Sequence, residues 1–152
     1  MANAAKILGG AALLWWGVLR GASALMVGIK SWAFRGIDIS NMNVDLTLNF
    51  MIKNPLFIGL TLKGIYGDVY VQGHKVGQVS TSYNYYLSGG RTHIIPVLVT
   101  LNMASVGQAA MENIQSGNVQ TFTIAFDGRL LIGKAGVPVP VQVNYNWGDL
   151  TK

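Results

Sequence analysis

VDLTLNFMIKNP, residues Val44–Pro55, has a period of two. Val44, Leu46, Leu48, Phe50 and Ile52 alternate with Asp45, Thr47, Asn49, Met51 and Lys53. Successive side chains of a strand point to opposite faces, so this pattern predicts a strand with one buried face. Asn54-Pro55 ends it, because proline has no N–H for the ladder.

Downstream the same period recurs. Gly59–Gln72 predicts a long strand with Leu60, Leu62, Val69 and Val71 inward and a bulge near Gly64 or Gly67. Gly73-His74 reads as a turn, Lys75–Ser80 as a short return strand and Tyr83–Leu87 as another, before a Ser88-Gly89-Gly90 turn. Thr92–Asn102 is strongly β-forming, with Val97, Val99 and Leu101 on one side. Met103–Ser116 is the one helical stretch, with Met103, Val106, Ala110 and Ile114 on a face and Gly117 as its stop. Gln120–Phe126 and Arg129–Gly133 read as a hairpin about an Asp127-Gly128 turn. In Val137–Trp147, Pro138 and Pro140 remove two donors from one strand edge, which predicts an edge strand. These elements predict a mostly β domain: an antiparallel β-sandwich of about seven strands with one helix.

Upstream the pattern is different. Ile7–Leu19 carries no charge, and Gly21–Ile29 continues the apolar run past Arg20. As a helix, Ile7–Ile29 would be about 34 Å long, enough for a hydrocarbon core of about 30 Å. A central arginine costs about 2.5–3.5 kcal/mol there. Three readings stand side by side. One is a cleaved secretory signal, with Lys6 as its basic start and Ala22-Ser23-Ala24 as its cleavage site. The others are a membrane anchor and a helix packed inside a protein assembly. Gly10, Gly17, Gly21, Ala24, Gly28 and Ser31 would share one helical face, with Gly17 and Gly21 in a GxxxG arrangement that lets a second backbone approach. Arg20, about 40° from Ala24 around such a helix, could be shielded by a partner. Trp15, Trp16 and Trp32 read as interfacial anchors or packing residues. Ser31–Asn43 then reads as a linker, which divides the chain into an N-terminal hydrophobic helix, residues 1–36, and a sandwich, residues 37–152. Removal of residues 1–30 is expected to leave the sandwich folded.

Composition agrees with one very apolar segment. Of 152 residues, 51% are hydrophobic and only 11% charged, with a mean hydropathy of +0.38; a soluble domain usually has about 25% charged residues. The net charge of +5 is uneven: Lys6, Arg20, Lys30 and Arg35 face no acid in residues 1–36, and the remainder carries only +1. A basic, acid-free, apolar segment suits anionic lipid better than nucleic acid. The absence of cysteine rules out disulfides, thiolate nucleophiles and cysteine-ligated metals.

The residues do not cluster for catalysis. The six acids, Asp38, Asp45, Asp68, Glu112, Asp127 and Asp149, are scattered, and Asp127 reads as a turn residue. His74 and His93 lack metal-site spacing. Gly89-Gly90-Arg91 and Gly133-Lys134 lack the strand–loop–helix context of a phosphate site. Tyr83, Tyr85 and Tyr86 near Arg91 read as exposed strand residues rather than a stacking platform for bases or sugars. No enzyme activity, cofactor, metal or nucleic-acid partner is expected.

Five segments in order, VDLTLNFMIKNP (Val44–Pro55), GLTLKGIYGDVYVQGHKVGQV (Gly59–Val79), THIIPVLVTL (Thr92–Leu101), FDGRLLIG (Phe126–Gly133) and VPVPVQV (Val137–Val143), carry a resemblance. Over about Val44–Trp147 the chain resembles the late-embryogenesis-abundant group 2 family, the LEA14-like or WHy (water stress and hypersensitive response) domain. The resemblance implies an immunoglobulin- or fibronectin-III-like sandwich with one helix, often behind a hydrophobic N-terminal helix, and no catalytic residues. It also implies links to stress protection and membrane association. The low charge here departs from a solvated protectant and points to a domain held among partners.

The sequence therefore leads to three expectations of function. The first is a structural or interaction protein whose residues 7–31 engage membrane lipid or other protein chains, as a homo- or hetero-oligomer, in a membrane or a large assembly such as a virion. The second is a LEA14-like protector of membranes or client proteins. The third is a carrier of lipid or a small ligand between the sheets.

Overall fold

Strand β2, Asn43–Asn54, is the centre of the first sheet, and its inward residues Val44, Leu46, Leu48, Phe50 and Ile52 are all fully buried. The computed structural model describes residues 24–150. Within them β1, Met26–Asp38, and β5, Arg91–Asn102, flank β2 in antiparallel pairing. The second sheet has the order β4-β3-β6-β7, with β3 at Leu60–Val71, β4 at His74–Leu87, β6 at Thr123–Ile132 and β7 at Val137–Asn146. Phe50 of the first sheet meets Phe126 of the second edge to face, with ring centroids 5.1 Å apart, so side chains fill the space between the sheets. The helix α1, Gln108–Ser116, crosses from β5 to β6, and a short 3-10 turn, Trp147–Asp149, follows β7. Among the described residues no helix is long and apolar enough to cross a membrane.

Several expectations hold in detail. β3 shifts register between Leu62 and Gly64, β7 is an edge strand, and Gly117 stops α1 with φ +80°. Others change for physical reasons. The turn after β3 is Gln72-Gly73, both with positive φ, rather than Gly73-His74. Lys75–Ser80 and Tyr83–Leu87 are parts of one strand, because β3 is long enough to pair with both. The helix begins at Gln108, since Met103–Val106 forms a turn held by Val106 N–H donating to Met103 O (2.9 Å), and Gly107 has φ +115°.

Asp127-Gly128 is not a turn. Both residues sit inside β6, opposite Asp68 and Gly67. A Cβ on Gly128 would lie 2.5 Å from the Gly67 Cα and 2.8 Å from the Phe126 ring. The two glycines let β3 and β6 touch through their backbones while Phe126 covers the gap. Close approach, not turn geometry, explains Gly128.

The largest correction is at the N-terminal side. Residues Met26–Asp38, read as the end of a helix and a linker, form β1. Leu25, Ile29 and Trp32 are buried, and Val27 and Phe34 pack against the core. Register shifts at Ile29/Ser31 and Phe34/Gly36 break the alternation, which is why the period of two is hidden. The division at residue 36 falls inside β1, whose end leads into the β1–β2 hairpin turn. There the Asp38 carboxylate accepts from Asn41 Nδ2 (2.7 Å) and Ser40 Oγ (2.8 Å), and these bonds hold its pKa below the usual carboxylate value. The helix expected over Ile7–Ile29 lies outside the described residues up to residue 23, and residues 26–29 of its remainder are strand.

Burial of Leu25, Ile29 and Trp32 contributes roughly 5–9 kcal/mol at about 1.5–3 kcal/mol per large side chain. That is comparable with the whole net stability of a domain, about 5–15 kcal/mol. A chain starting at Ala24 is therefore expected to unfold cooperatively like the full chain, whereas one starting at Ile37 loses its sharp thermal transition by circular dichroism. Equal transitions in the two would show that β1 is dispensable.

Candidate functional site

Of the residues expected to form an anchoring face, Gly10, Trp15, Trp16, Gly17, Arg20 and Gly21 lie outside the described residues. Ala24, Gly28 and Trp32 lie within them, and none forms a helical notch. Ala24 is half-buried in the turn before β1. Gly28 is a strand residue whose missing Cβ admits the Tyr145 hydroxyl, 2.5 Å from where that Cβ would stand. That hydroxyl accepts a hydrogen bond from Ile29 N (3.2 Å), which ties β1 to β7 across the sandwich edge. Beside this link a groove of about 290 Å³ is lined by Leu25, Val27, Val139, Val141 and Val143 among others. Trp32 is a core residue, edge to face with Trp147 at 5.3 Å. The Trp147 ring also packs against Phe122 at 6.4 Å, and its buried Nε1 has no hydrogen-bond partner.

The distinctive surface lies at one end of the sandwich. The registers Met26↔Lys53, Asn54↔Arg91, Leu60↔Leu87 and Ile132↔Val137 place the start of β1, the β2–β3 loop, the β4–β5 turn and the β6–β7 loop together. We call this the proximal end, because residue 24 joins it. Asn54 organises it and is, among the described residues, the only polar residue in the buried set. Its Nδ2 donates to Leu87 O (2.9 Å) and Ile58 O (3.0 Å), its Oδ1 accepts from Leu56 N (3.1 Å), and its backbone O accepts from Gly90 N (2.8 Å). A Cβ on Gly89 would lie 2.5 Å from Phe57 O, so the β4–β5 turn is packed against the β2–β3 loop. One side chain thus ties both connections to the core.

This braced loop displays apolar residues outward. Phe57 is fully exposed at 106% and Ile58 is 64% exposed, with Tyr86 (62%) and Met26 (58%) at the same end. Lys53, Arg91 and Lys134 are exposed there, with no ion-pair partner among the described residues. Strand termination at Asn54-Pro55 does not by itself point to Phe57 and Ile58. The signal was present: Leu56-Phe57-Ile58 is an apolar triplet where turn chemistry calls for polar residues.

Elsewhere several titratable groups have structural partners. Tyr85 Oη lies 3.4 Å from His93 Nδ1, and His93 Nε2 lies 3.4 Å from Ser88 O. His74 stands at the opposite end of the sandwich, in the pair Val71↔His74. Tyr83 donates to Pro96 O at 3.4 Å, and burial raises its pKa. Tyr86 covers Gly59, so the three tyrosines do not form one stacking surface. Among the described residues no group of three His, Cys, Asp or Glu side chains is placed to hold a metal.

Among the described residues, this geometry defines a two-sheet antiparallel β-sandwich with one crossover helix. No family model matches the chain, and no curated protein matches it significantly. Among solved structures it is similar to AT1g01470 from Arabidopsis thaliana, at 11% identity over 78% of each chain with a TM-score of 0.58. Two further likenesses are weaker. A protein from Archaeoglobus fulgidus is 11% identical over 79% of this chain and 92% of that one, with a TM-score of 0.49. At2g46140.1, provisionally named a late embryogenesis abundant protein, is 13% identical over 95% and 89%, with a TM-score of 0.45. At these identities the likeness to AT1g01470 shows a shared fold.

Two substitutions test these assignments. Trp32→Ala should lower the unfolding free energy by about 3–5 kcal/mol, as expected of a buried tryptophan; an interfacial anchor would leave it unchanged. Asn54→Ala strands two carbonyls and an N–H and should cost about 2–4 kcal/mol. Limited proteolysis should then cut within residues 55–59, and the unaltered chain should resist cleavage there.

Proposed function

We propose that this chain is a non-enzymatic interaction protein: its apolar N-terminal segment attaches it to a membrane or a hydrophobic assembly, and its sandwich presents contacts to other chains. The observation that carries this reading is continuity. The acid-free apolar segment runs into Leu25 and β1 without a linker, and the first buried residues of the sandwich follow immediately. The attaching residues are those before 24, since Ala24–Ser31 belong to the sandwich. A tether joined this closely orients the domain against whatever holds it.

The immunoglobulin- or fibronectin-III-like character belongs to the same reading, because sandwiches of this kind commonly serve as contact modules. A LEA14-like protective role is supported by the motif resemblance and the shared architecture. A carrier role has less support, because Phe50 and Phe126 fill the centre between the sheets.

The test is flotation. Full-length protein reconstituted with vesicles of phosphatidylcholine and phosphatidylglycerol should float with lipid in a density gradient, and a chain lacking residues 1–23 should stay largely in the dense fractions. A full-length chain that stays in the dense fractions as a folded monomer would overturn the tether.

A further inference from the structure

We propose that the proximal end is a lipid-facing surface, in which Phe57 and Ile58 insert into the interfacial layer of an anionic bilayer while Lys53, Arg91 and Lys134 face its phosphates. This inference rests on the tether reading and specifies which face of the domain the membrane meets.

Three independent features converge at this end. The first is the braced wedge. A fully exposed Phe57 beside a largely exposed Ile58 is unfavourably hydrated in water, yet the loop is held by the Asn54 hydrogen bonds and the Gly89 contact. A rigid apolar tip has already lost the entropy that insertion would otherwise demand. Tyr86 flanks it, and an amphipathic aromatic is the side chain favoured at a headgroup boundary.

The second is charge. Lys53, Arg91 and Lys134 stand at this end, and Lys63, which bonds Asn84 at 3.1 Å, lies one step back. The acids lie elsewhere. Asp38, Asp45, Glu112 and Asp149 are at or beyond the opposite strand ends, and Asp68 and Asp127 lie side by side part-way along the second sheet. The domain is therefore polarised along its strands, with its positive end outward. Basic residues within a Debye length of an anionic leaflet are attracted to it.

The third is the point of attachment. Residue 24 lies at this end, and the apolar, basic, acid-free stretch joins there. A bilayer holding that stretch would lie against the same loops. Charge complementarity and chain connectivity both favour lipid over a second copy of this chain, whose matching face would be equally basic.

The chain has no cysteine, so a single introduced thiol reports one position. Ile58→Cys and, at the far turn, Ser40→Cys would each be labelled with the environment-sensitive dye NBD in the full-length protein. With phosphatidylcholine vesicles containing one-quarter phosphatidylglycerol, the label at 58 should shift to the blue and resist aqueous quenchers. The label at 40 should do neither. The shift should shrink several-fold on pure phosphatidylcholine and in a Lys53→Glu, Arg91→Glu, Lys134→Glu background. If the protein floats with lipid but the label at 58 stays in water, the proposal fails and the tether stands. If nothing floats, both fail. If the label shifts without vesicles as the chain self-associates, the surface is a protein contact and the proposal is wrong.

Discussion

Trp32 and Trp147 meet edge to face at the heart of the molecule, and that contact joins the first strand of the sandwich to the turn that follows the last. Trp32 lies in the first sheet and Trp147 directly follows the last strand of the second, and both are among the largest buried side chains. The Tyr145 hydroxyl adds a second link by accepting the Ile29 N–H over the notch at Gly28. The arrangement carries a cost, since the indole N–H of Trp147 is buried without an acceptor, worth about 1–3 kcal/mol against folding. Dispersion and edge-to-face packing around it must exceed that penalty.

Because β1 is part of the core, the chain cannot be divided into a detachable rod and an independent domain at residue 36. The apolar N-terminal stretch is covalently continuous with buried structure. The end of the sandwich that receives the stretch is also the end where Asn54 gathers two loops. A polar side chain buried at 0% exposure is tolerated there because both its donor and its acceptor are used. The result is a firm loop whose tip is apolar and whose surroundings are basic.

Much of the β architecture was legible because its signals are local. β2 and β5 alternate over about ten residues, β3 alternates on either side of its bulge, Gly117 supplies the left-handed stop, and the paired prolines mark β7 as an edge. Where the readings failed, the deciding partner was distant in sequence. Asp127-Gly128 has turn composition, but Gly67 lies opposite it and both glycines serve a backbone contact. In β1 two bulges shift the phase of the inward residues, while Ala24, Gly28 and Ser31 fall by coincidence on a helical stripe. Phe57 and Ile58 form an apolar run in a loop, a local anomaly whose meaning depends on the turn packed beside it.

By itself, the sequence determined that the described residues are mostly β with one helix, that the N-terminal stretch is apolar and basic, and that charge is sparse. Those properties follow from composition and short-range periodicity, which need no knowledge of partners. Only the tertiary structure decided that Met26–Asp38 is a strand, that Trp32 is core, and that loops drawn from three parts of the chain form one basic, apolar-tipped end. The physical reason is that strand pairing and the meeting of two sheets join residues more than a hundred positions apart, as Ile29 and Tyr145 are, and no local pattern encodes such a distance.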